Sequence, residues 1–112
     1  MIHVITHIER TPKELIDQFR GIGTATVHEA SGRKGAVDYA IKPINHGVRL
    51  CGPAFTVQCH PEDNLMLHKA IERAQPGDIL VASVGGHYEA GYWGGLMATS
   101  AVAKKIGGLA ID

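Results

Sequence analysis

Short unbroken hydrophobic runs alternate with helix-like spacing in the second half of the chain. Residues 79–84 and 109–111 are apolar runs of a length typical of buried strands, and an alanine-rich helical segment begins between them near Gly94. A further helix is predicted before the first of these strands, with Asp63 or Asn64 at its start. Strands that alternate with helices indicate an α/β layer structure with at least one parallel pair of strands.

The first half of the chain is less regular. Thr11 as a cap, followed by Pro12 at the first helical position, predicts a helix that a nearby glycine ends. A second short helix is expected over residues 25–30. Two strand candidates follow at residues 48–51 and 54–59, separated by a Gly-Pro pair. The predicted order is α-α-β-β-α-β-α-β, and no repeat or linker divides the chain into two domains.

The most informative local pattern is the glycine-broken loop that joins the apolar run ending at residue 84 to the alanine-rich helix. A strand that ends in such a loop and opens a helix directs unpaired backbone N–H groups, and the positive end of the helix dipole, toward one point. Gly94 and Gly95 would let a ligand approach the backbone without meeting a side chain. This pattern predicts a pocket for a small carboxylate or phosphate, although glycines are also ordinary turn residues.

Composition narrows the class of protein. The 112 residues carry 11 lysines and arginines against 11 aspartates and glutamates, with no basic cluster of the kind that nucleic-acid binding requires. No apolar run approaches the length of a membrane span. Cys51 and Cys59 are too far apart for close-paired zinc ligands and are typical of small core residues. We therefore expect a soluble cytoplasmic protein with no nucleic-acid and no membrane partner.

Several segments together resemble the 4-hydroxy-4-methyl-2-oxoglutarate / 4-carboxy-4-hydroxy-2-oxoadipate aldolase family, which also includes proteins similar to regulator of ribonuclease activity A. The matching segments occur in the family's order and cover nearly the whole chain: residues 23–33, 52–57, 63–68, 75–81 and 91–100. The resemblance implies the layered α/β/β/α fold of the ribonuclease-regulator-like / class II pyruvate aldolase type, of which this chain is the N-terminal part. It also implies assembly as homotrimers or homohexamers with sites between subunits.

The same resemblance implies a chemistry. Family members are similar to class II aldolases that make or break a bond to the methyl carbon of pyruvate, and they also decarboxylate oxaloacetate. The implied cofactor is a divalent metal, Mg or Mn, and the implied ligands are small 2-oxo acids such as pyruvate and oxaloacetate. Lysine-dependent aldolase chemistry is disfavoured, because no lysine is bracketed by an apolar run that would lower its pKa.

By resemblance, Gly94, Gly95, Leu96 and Met97 match the segment whose backbone amides bind the substrate carboxylate. This agrees with the anion pocket that the residues themselves predict. One departure matters, because in similar aldolases an aspartate tends to stand at the position of Gly95. A polar side chain would then be missing from the pocket.

Glu29 is the candidate catalytic residue, since the resemblance puts its segment near the site of a neighbouring subunit, where a carboxylate can relay a proton. The alternative is a solvated residue near a helix end, and we give the two equal weight. The neighbouring His28 is more typical of a packed or capping histidine. Which of the two acts in catalysis is left open.

The metal ligands remain unknown. In the family, an Arg-Asp pair follows the strand whose last residue here is Asp112. The pair would therefore lie beyond Asp112. Asp112 itself matches the strand-end residue before that pair, so it is not assigned as a ligand. We accordingly expect residues 1–112 to form a single incomplete α/β domain, inactive by itself, that associates with itself or with a complementary C-terminal fragment.

For several other residues, a structural role is the alternative to a functional one. Arg33 fits a helix C-terminus better than a substrate contact, and His68 is expected to be a hydrogen-bonded core or interface residue. Residues 87–89 form either a lid over the pocket or an exposed loop. Tyr92 and Trp93 are expected mainly to pack.

The alternative to an aldolase is a non-catalytic ribonuclease-regulator-like module that binds other proteins.

Overall fold

A three-stranded parallel sheet forms the centre of the computed structural model, which describes residues 2–112. The strands are β1 (Ala54–Gln58), β2 (Ile79–Ser83) and β3 (Gly108–Ile111), and they lie in the order β1-β2-β3. Ala54 pairs with Ile79, which in turn pairs with Gly108. The predicted strands in the second half of the chain, and the predicted parallel pairing, are confirmed.

Four helices accompany this sheet. Two precede it in the chain, α1 (Lys13–Phe19) and α2 (Thr24–Ala30), and two connect its strands, α3 (Leu65–Arg73) and α4 (Gly95–Ala103). All four helices were predicted, and their starts lie within one or two residues of the predicted ones, with one difference at the first. Pro12, and not Thr11, is the N-cap residue of α1, and no side chain caps that helix.

Both connecting helices pack on the same face of the sheet. The side chains of this face come from every second residue, since neighbours along a strand point to opposite sides. Leu80 is completely buried at the centre, between its neighbours on β1 and β3. The core that α3, α4 and this face share contains Val57, Leu67, Ala70, Ile71, Leu80, Ala82 and Met97.

Besides the cap of α1, the strand at residues 48–51 and the core alternative for His68 were predicted wrongly. Residues 48–51 do not form a strand, because their polar groups are used elsewhere: the Cys51 carbonyl accepts a hydrogen bond from the Arg20 side chain. His68 is exposed and not a core residue of this chain. The buried side of α3 is Leu67, Ala70 and Ile71, and His68 lies one step around the helix from it. Whether His68 lies at an interface stays a prediction.

A buried ion pair, which the sequence analysis missed, fastens the N-terminal segment to the sheet. Asp78, directly before β2, is 1% exposed. The Nε and Nη2 atoms of Arg10 donate hydrogen bonds to its two carboxylate oxygens over 2.8–3.1 Å, and the Gln75 amide donates another at 2.8 Å. The Arg10 guanidinium also lies 5.8 Å from the centre of the Phe55 ring. We call Arg10 and Asp78 the clasp.

Most of the remaining residues before β1 are exposed, although Ile16 of α1 is buried. Helix α2 has no buried residue, and in the connection that follows it Tyr39 and Ile44 are 86% and 93% exposed. Such large exposed apolar side chains mark surfaces that another polypeptide can cover. Within residues 2–112, the helices are too short or too polar to cross a lipid bilayer.

Candidate active site

The carboxyl ends of the three strands carry a row of polar side chains. Gln58 pairs in register with Ser83, and the Ser83 hydroxyl donates a hydrogen bond of 2.9 Å to the Asp112 carboxylate. The other Asp112 oxygen accepts the Val84 amide at 2.6 Å. Asp112 therefore ties the ends of β2 and β3 together. In open α/β sheets, ligands bind beside this edge.

Among residues 2–112, the leading amides of helix α4 have no partner, and they lie at the same edge. The N-cap of α4 is Gly94, in an extended conformation, and no side chain caps the helix or places an acidic group in its first turn. The first intrahelical bond runs from the Ala98 amide to the Gly94 carbonyl at 2.9 Å. The amides of Gly95, Leu96 and Met97 thus precede the helical hydrogen-bond ladder, as the first N–H groups of any helix do. They lie together at the positive end of the helix dipole.

The backbone at the start of α4 is open on the side where a side chain would stand. A Cβ atom placed on Gly94 or on Gly95 would meet no heavy atom within 4 Å. Gly91, in the preceding loop, is equally open. No side chain or backbone atom therefore crowds the Cα atoms of Gly94 and Gly95 on that side. The structure brings the four predicted substrate-binding residues, 94–97, together at one helix start, and their binding role stays a prediction.

The aromatic residues before α4 hold its start in place. Tyr92 is buried, and its hydroxyl accepts the Glu62 amide at 2.9 Å. The Asn64 side chain, at the start of α3, donates to the Tyr92 carbonyl at 3.4 Å. Trp93 is half-buried against the core. The expectation that both aromatic residues mainly pack agrees with these contacts, which fix the starts of α3 and α4 relative to each other.

Glu29 lies on α2, which precedes the sheet in the chain. Its side chain is exposed on α2 and lines neither of the two cavities described below. His28 is half-buried, and its carbonyl accepts both the Arg33 amide at 2.8 Å and the Ser31 hydroxyl. Arg33 has a φ of 61° and ends α2 through this bond. The role expected for the Arg33 side chain at the helix C-terminus stays a prediction, as does a catalytic role for Glu29.

Two cavities border these elements. The larger, about 570 Å³, lies between the 38–42 segment, the loop after β2 and the end of β3. Its lining includes Asp38, Ile41, Lys42, Tyr88, Ile111 and Asp112. The smaller, about 220 Å³, is a groove between α3 and α4 that includes His68, Leu96 and Ser100. Of residues 87–89, only Tyr88 contributes to the larger cavity.

Cys59 is not suited to nucleophilic chemistry at neutral pH. Both cysteines are free thiols. Burial raises the pKa of the Cys59 thiol, and the carboxylates of Asp112 and Asp63 raise it further. Cys59 therefore remains protonated, as a small core residue, which agrees with its predicted role. Cys51 is half-buried, and its thiol donates to the Ile16 carbonyl at 3.6 Å.

The residues described do not make a metal site by themselves. Among residues 2–112 no group of three or more histidine, cysteine, aspartate or glutamate side chains converges in a way that could hold a metal ion. Asp112, the acidic residue nearest the strand ends, already accepts two hydrogen bonds there. The described residues therefore identify no set of metal ligands.

Comparison with known proteins decides the family. The family model described as RraA-like, Aldolase/RraA, matches residues 14–112. The chain belongs to the RraA-like family. This confirms the resemblance drawn from the sequence.

Two named relatives are similar to this RraA-like chain. A protein of Halalkalibacterium halodurans that carries the provisional name 4-hydroxy-4-methyl-2-oxoglutarate aldolase is 33% identical over 99 residues, which are 88% of this chain and 47% of that protein. Protein DlpA of Legionella pneumophila is 26% identical over 109 residues, or 90% of this chain and 18% of that protein. The chain thus spans about half the length of the first relative, and less of the second.

A solved structure supports the fold. The crystal structure of an uncharacterized protein from Pseudomonas syringae pv. tomato superposes with a TM-score of 0.77 at 26% identity, and covers 99% of this chain and 52% of that one. Together with the parallel sheet, this similarity confirms the predicted α/β fold of the RraA-like type.

Proposed function

We propose that this RraA-like chain supplies the carboxylate-binding part of a pyruvate aldolase. The proposed reaction cleaves 4-hydroxy-4-methyl-2-oxoglutarate or 4-carboxy-4-hydroxy-2-oxoadipate to pyruvate, with decarboxylation of oxaloacetate as a second activity. The observation that carries the proposal is the open first turn of α4, whose three leading amides lie outside the helical hydrogen-bond ladder. A relative named for this aldolase activity, 33% identical, gives it support.

The chemistry of the cleavage defines what these amides would contribute. The bond between carbons 3 and 4 breaks, its electron pair stays on carbon 3 as a pyruvate enolate, and the 4-hydroxyl loses its proton to become a carbonyl. A proton added to carbon 3 then completes pyruvate. Hydrogen bonds from Gly95, Leu96 and Met97 would hold the carboxylate next to the 2-oxo group and orient the breaking bond. Charge-assisted bonds of this kind are stronger than neutral ones.

Three further roles belong to the same proposal. Glu29 would serve as the proton relay from a neighbouring copy in a trimer or hexamer, because within one chain its exposed side chain lies on α2, away from the cavities. Turnover would need Mg or Mn, which as a Lewis acid supplies enolate stabilisation when bound. The Arg-Asp pair that the resemblance implies would contribute the metal and pyruvyl-oxygen contacts.

The binding step is tested with oxalate, a stable analogue of the pyruvate enolate. Gly95→Val places a branched side chain where the ligand would approach, and the open surroundings leave the fold room for it. Calorimetry should show weaker oxalate binding with an unchanged circular dichroism spectrum. Gly91→Val is the matched control, since Gly91 is equally open but lies outside the helix start. Equal affinity in the Gly95 variant and the unmodified chain would place the anion site elsewhere.

Turnover is tested separately from binding. Pyruvate release from a 4-hydroxy-2-oxo diacid, or from oxaloacetate, is followed with a coupled dehydrogenase. The assay uses the 112-residue chain and, beside it, the same chain joined to the remaining part of the longer 33%-identical relative. Activity is expected in the joined protein and should be lost on addition of a chelator. Equal rates with and without chelator would refute metal dependence.

A non-catalytic protein-binding role is the second candidate. It is favoured by the large apolar side chains exposed before β1, among them Tyr39 and Ile44. Substituting both with serine should abolish partner binding under this hypothesis and leave oxalate binding intact. If oxalate does not bind the unmodified chain, this second function is the better account.

A further inference from the structure

Asn64, the N-cap residue of α3, does not cap its own helix. An N-cap asparagine usually has an extended backbone and accepts an amide of the first helical turn. In the described chain the Asn64 side chain makes no such bond, and its backbone has φ −103° and ψ 11°. The Asp63 carboxylate accepts the Leu65 amide instead, at 2.7 Å. The side chain of Asn64 is therefore available for another partner.

The Asn64 side chain reaches across to the start of α4. Its Nδ2 group donates to the Tyr92 carbonyl at 3.4 Å and to the Met97 sulfur at 3.7 Å. Tyr92 lies two residues before the N-cap Gly94, and Met97 is the third residue of the helix. The two contacts therefore hold both ends of the short segment that carries the leading amides of α4.

This segment depends on such contacts for its orientation. Gly94 and Gly95 lie inside it and restrict the backbone less than other residues would. The contacts of Asn64 are also sheltered from water, since Tyr92 and Met97 are 7% and 5% exposed. A carbonyl that loses its donor in such surroundings costs free energy, so the Tyr92 peptide is held where Asn64 can reach it.

We propose that Asn64 is a positioning residue, which aims the leading amides of α4 at the substrate carboxylate. The proposal rests on the proposed function, in which the amides of Gly95, Leu96 and Met97 bind that carboxylate. Asn64 acts on the ligand through Tyr92 and Met97, the two residues that it contacts. Amides that are already held in one orientation bind an anion at a lower entropic cost, which is the advantage of a preorganised site.

Asn64→Leu tests this role, because leucine has a similar size but donates no hydrogen bond. Oxalate affinity, measured by calorimetry, should fall about threefold to tenfold, as expected for one or two lost hydrogen bonds. The backbone amide signals of Gly95 and Leu96, which lie between the two contacts, should shift even without oxalate. A loss of stability alone would not shift them. Circular dichroism checks the fold, and Asn64→Ala replaces Asn64→Leu if the larger side chain disturbs it.

Asp63→Ala is the matched control. It removes the acceptor of the Leu65 amide at the same helix start, and that bond does not involve α4. The control variant should have a lower melting temperature, because a side-chain bond at a helix start is lost. Its oxalate affinity and its α4 amide signals should equal those of the unmodified chain.

The outcomes separate this proposal from the proposed function. Weaker oxalate binding and shifted amide signals in Asn64→Leu, with neither change in Asp63→Ala, support the positioning role. Unchanged affinity or unmoved amide signals in Asn64→Leu would overturn it and leave the proposed function standing. Equal losses of affinity in both variants would also overturn it, because α3 would then act only as a support. If oxalate does not bind the unmodified chain, the proposed function fails, and the positioning role fails with it.

Discussion

Removing the arginine of the clasp should lower the stability of the chain more than removing any surface charge. Arg10→Met deletes three hydrogen bonds to the Asp78 carboxylate and leaves only the Gln75 amide as a donor. The Asp78 side chain is 2% exposed, so its charge would have almost no water to replace the lost partner. An uncompensated buried charge is among the most destabilising changes a substitution can make.

The size of the effect follows from the burial of the two partners. Removing one member of a fully buried pair costs about 3–5 kcal/mol. The Arg10 side chain is 22% exposed, so water can partly enter its place, and a loss of about 2–3 kcal/mol is expected for Arg10→Met. For a domain of this size that corresponds to a melting temperature roughly 10 °C lower.

Thermal and urea unfolding, followed by circular dichroism and by the fluorescence of Trp93, measures this change. Lys13→Met is the control, because it breaks an ion pair with Asp17 on the exposed surface of α1 and should have no measurable effect. The double variant Arg10→Met/Asp78→Asn replaces the stranded charge with a neutral amide, so it should be more stable than Arg10→Met alone. A single variant as stable as the Lys13 control would refute the assignment of the clasp.

Three further predictions follow from the packing of the sheet. Ellman's reagent should modify Cys51 before the buried Cys59. Because the pKa of the Cys59 thiol is raised in the folded chain above its ordinary value of 9.0, the thiol makes its full contribution to the free energy of unfolding below pH 9.0. This contribution should fall as the pH rises above that value. Gly52→Ala should lower the melting temperature, since a Cβ there would collide with the carbonyl oxygen of Gly77, an overpacking that costs about 1–3 kcal/mol. Asp112→Ala should increase amide exchange at the end of β2, because two hydrogen bonds to that end are lost; unchanged exchange rates would count against the tie between β2 and β3.

Local patterns predicted most of the elements because each element depends on nearby residues. The run at 79–83 is short, apolar and rich in β-branched side chains, and it forms the buried central strand β2. Gly94 precedes helical spacing and is the N-cap of α4. The candidate substrate-binding segment was identifiable for the same reason, since the donors of a helix start are its own backbone amides.

The misses concern interactions between distant parts of the chain. A strand needs a neighbour with which to pair, and the 48–51 segment instead contacts the α1–α2 region, which no short-range pattern specifies. The clasp joins residues 68 positions apart. The position of His68 depends on which side of α3 meets the sheet, and a shift of one residue turns an apolar-looking position toward solvent.

The clasp and the proposed carboxylate-binding amides lie at opposite ends of the same sheet. The clasp acts at Asp78, directly before β2, whereas Asp112 and the start of α4 lie beyond the carboxyl ends of the strands. The buried core around Leu80 separates the two. Since substitutions without shared contacts usually act independently, a clasp variant should change the unfolding free energy without changing oxalate affinity, and Gly95→Val should do the reverse. This separation allows a loss of binding in the site variants to be attributed to the site and not to a weakened fold.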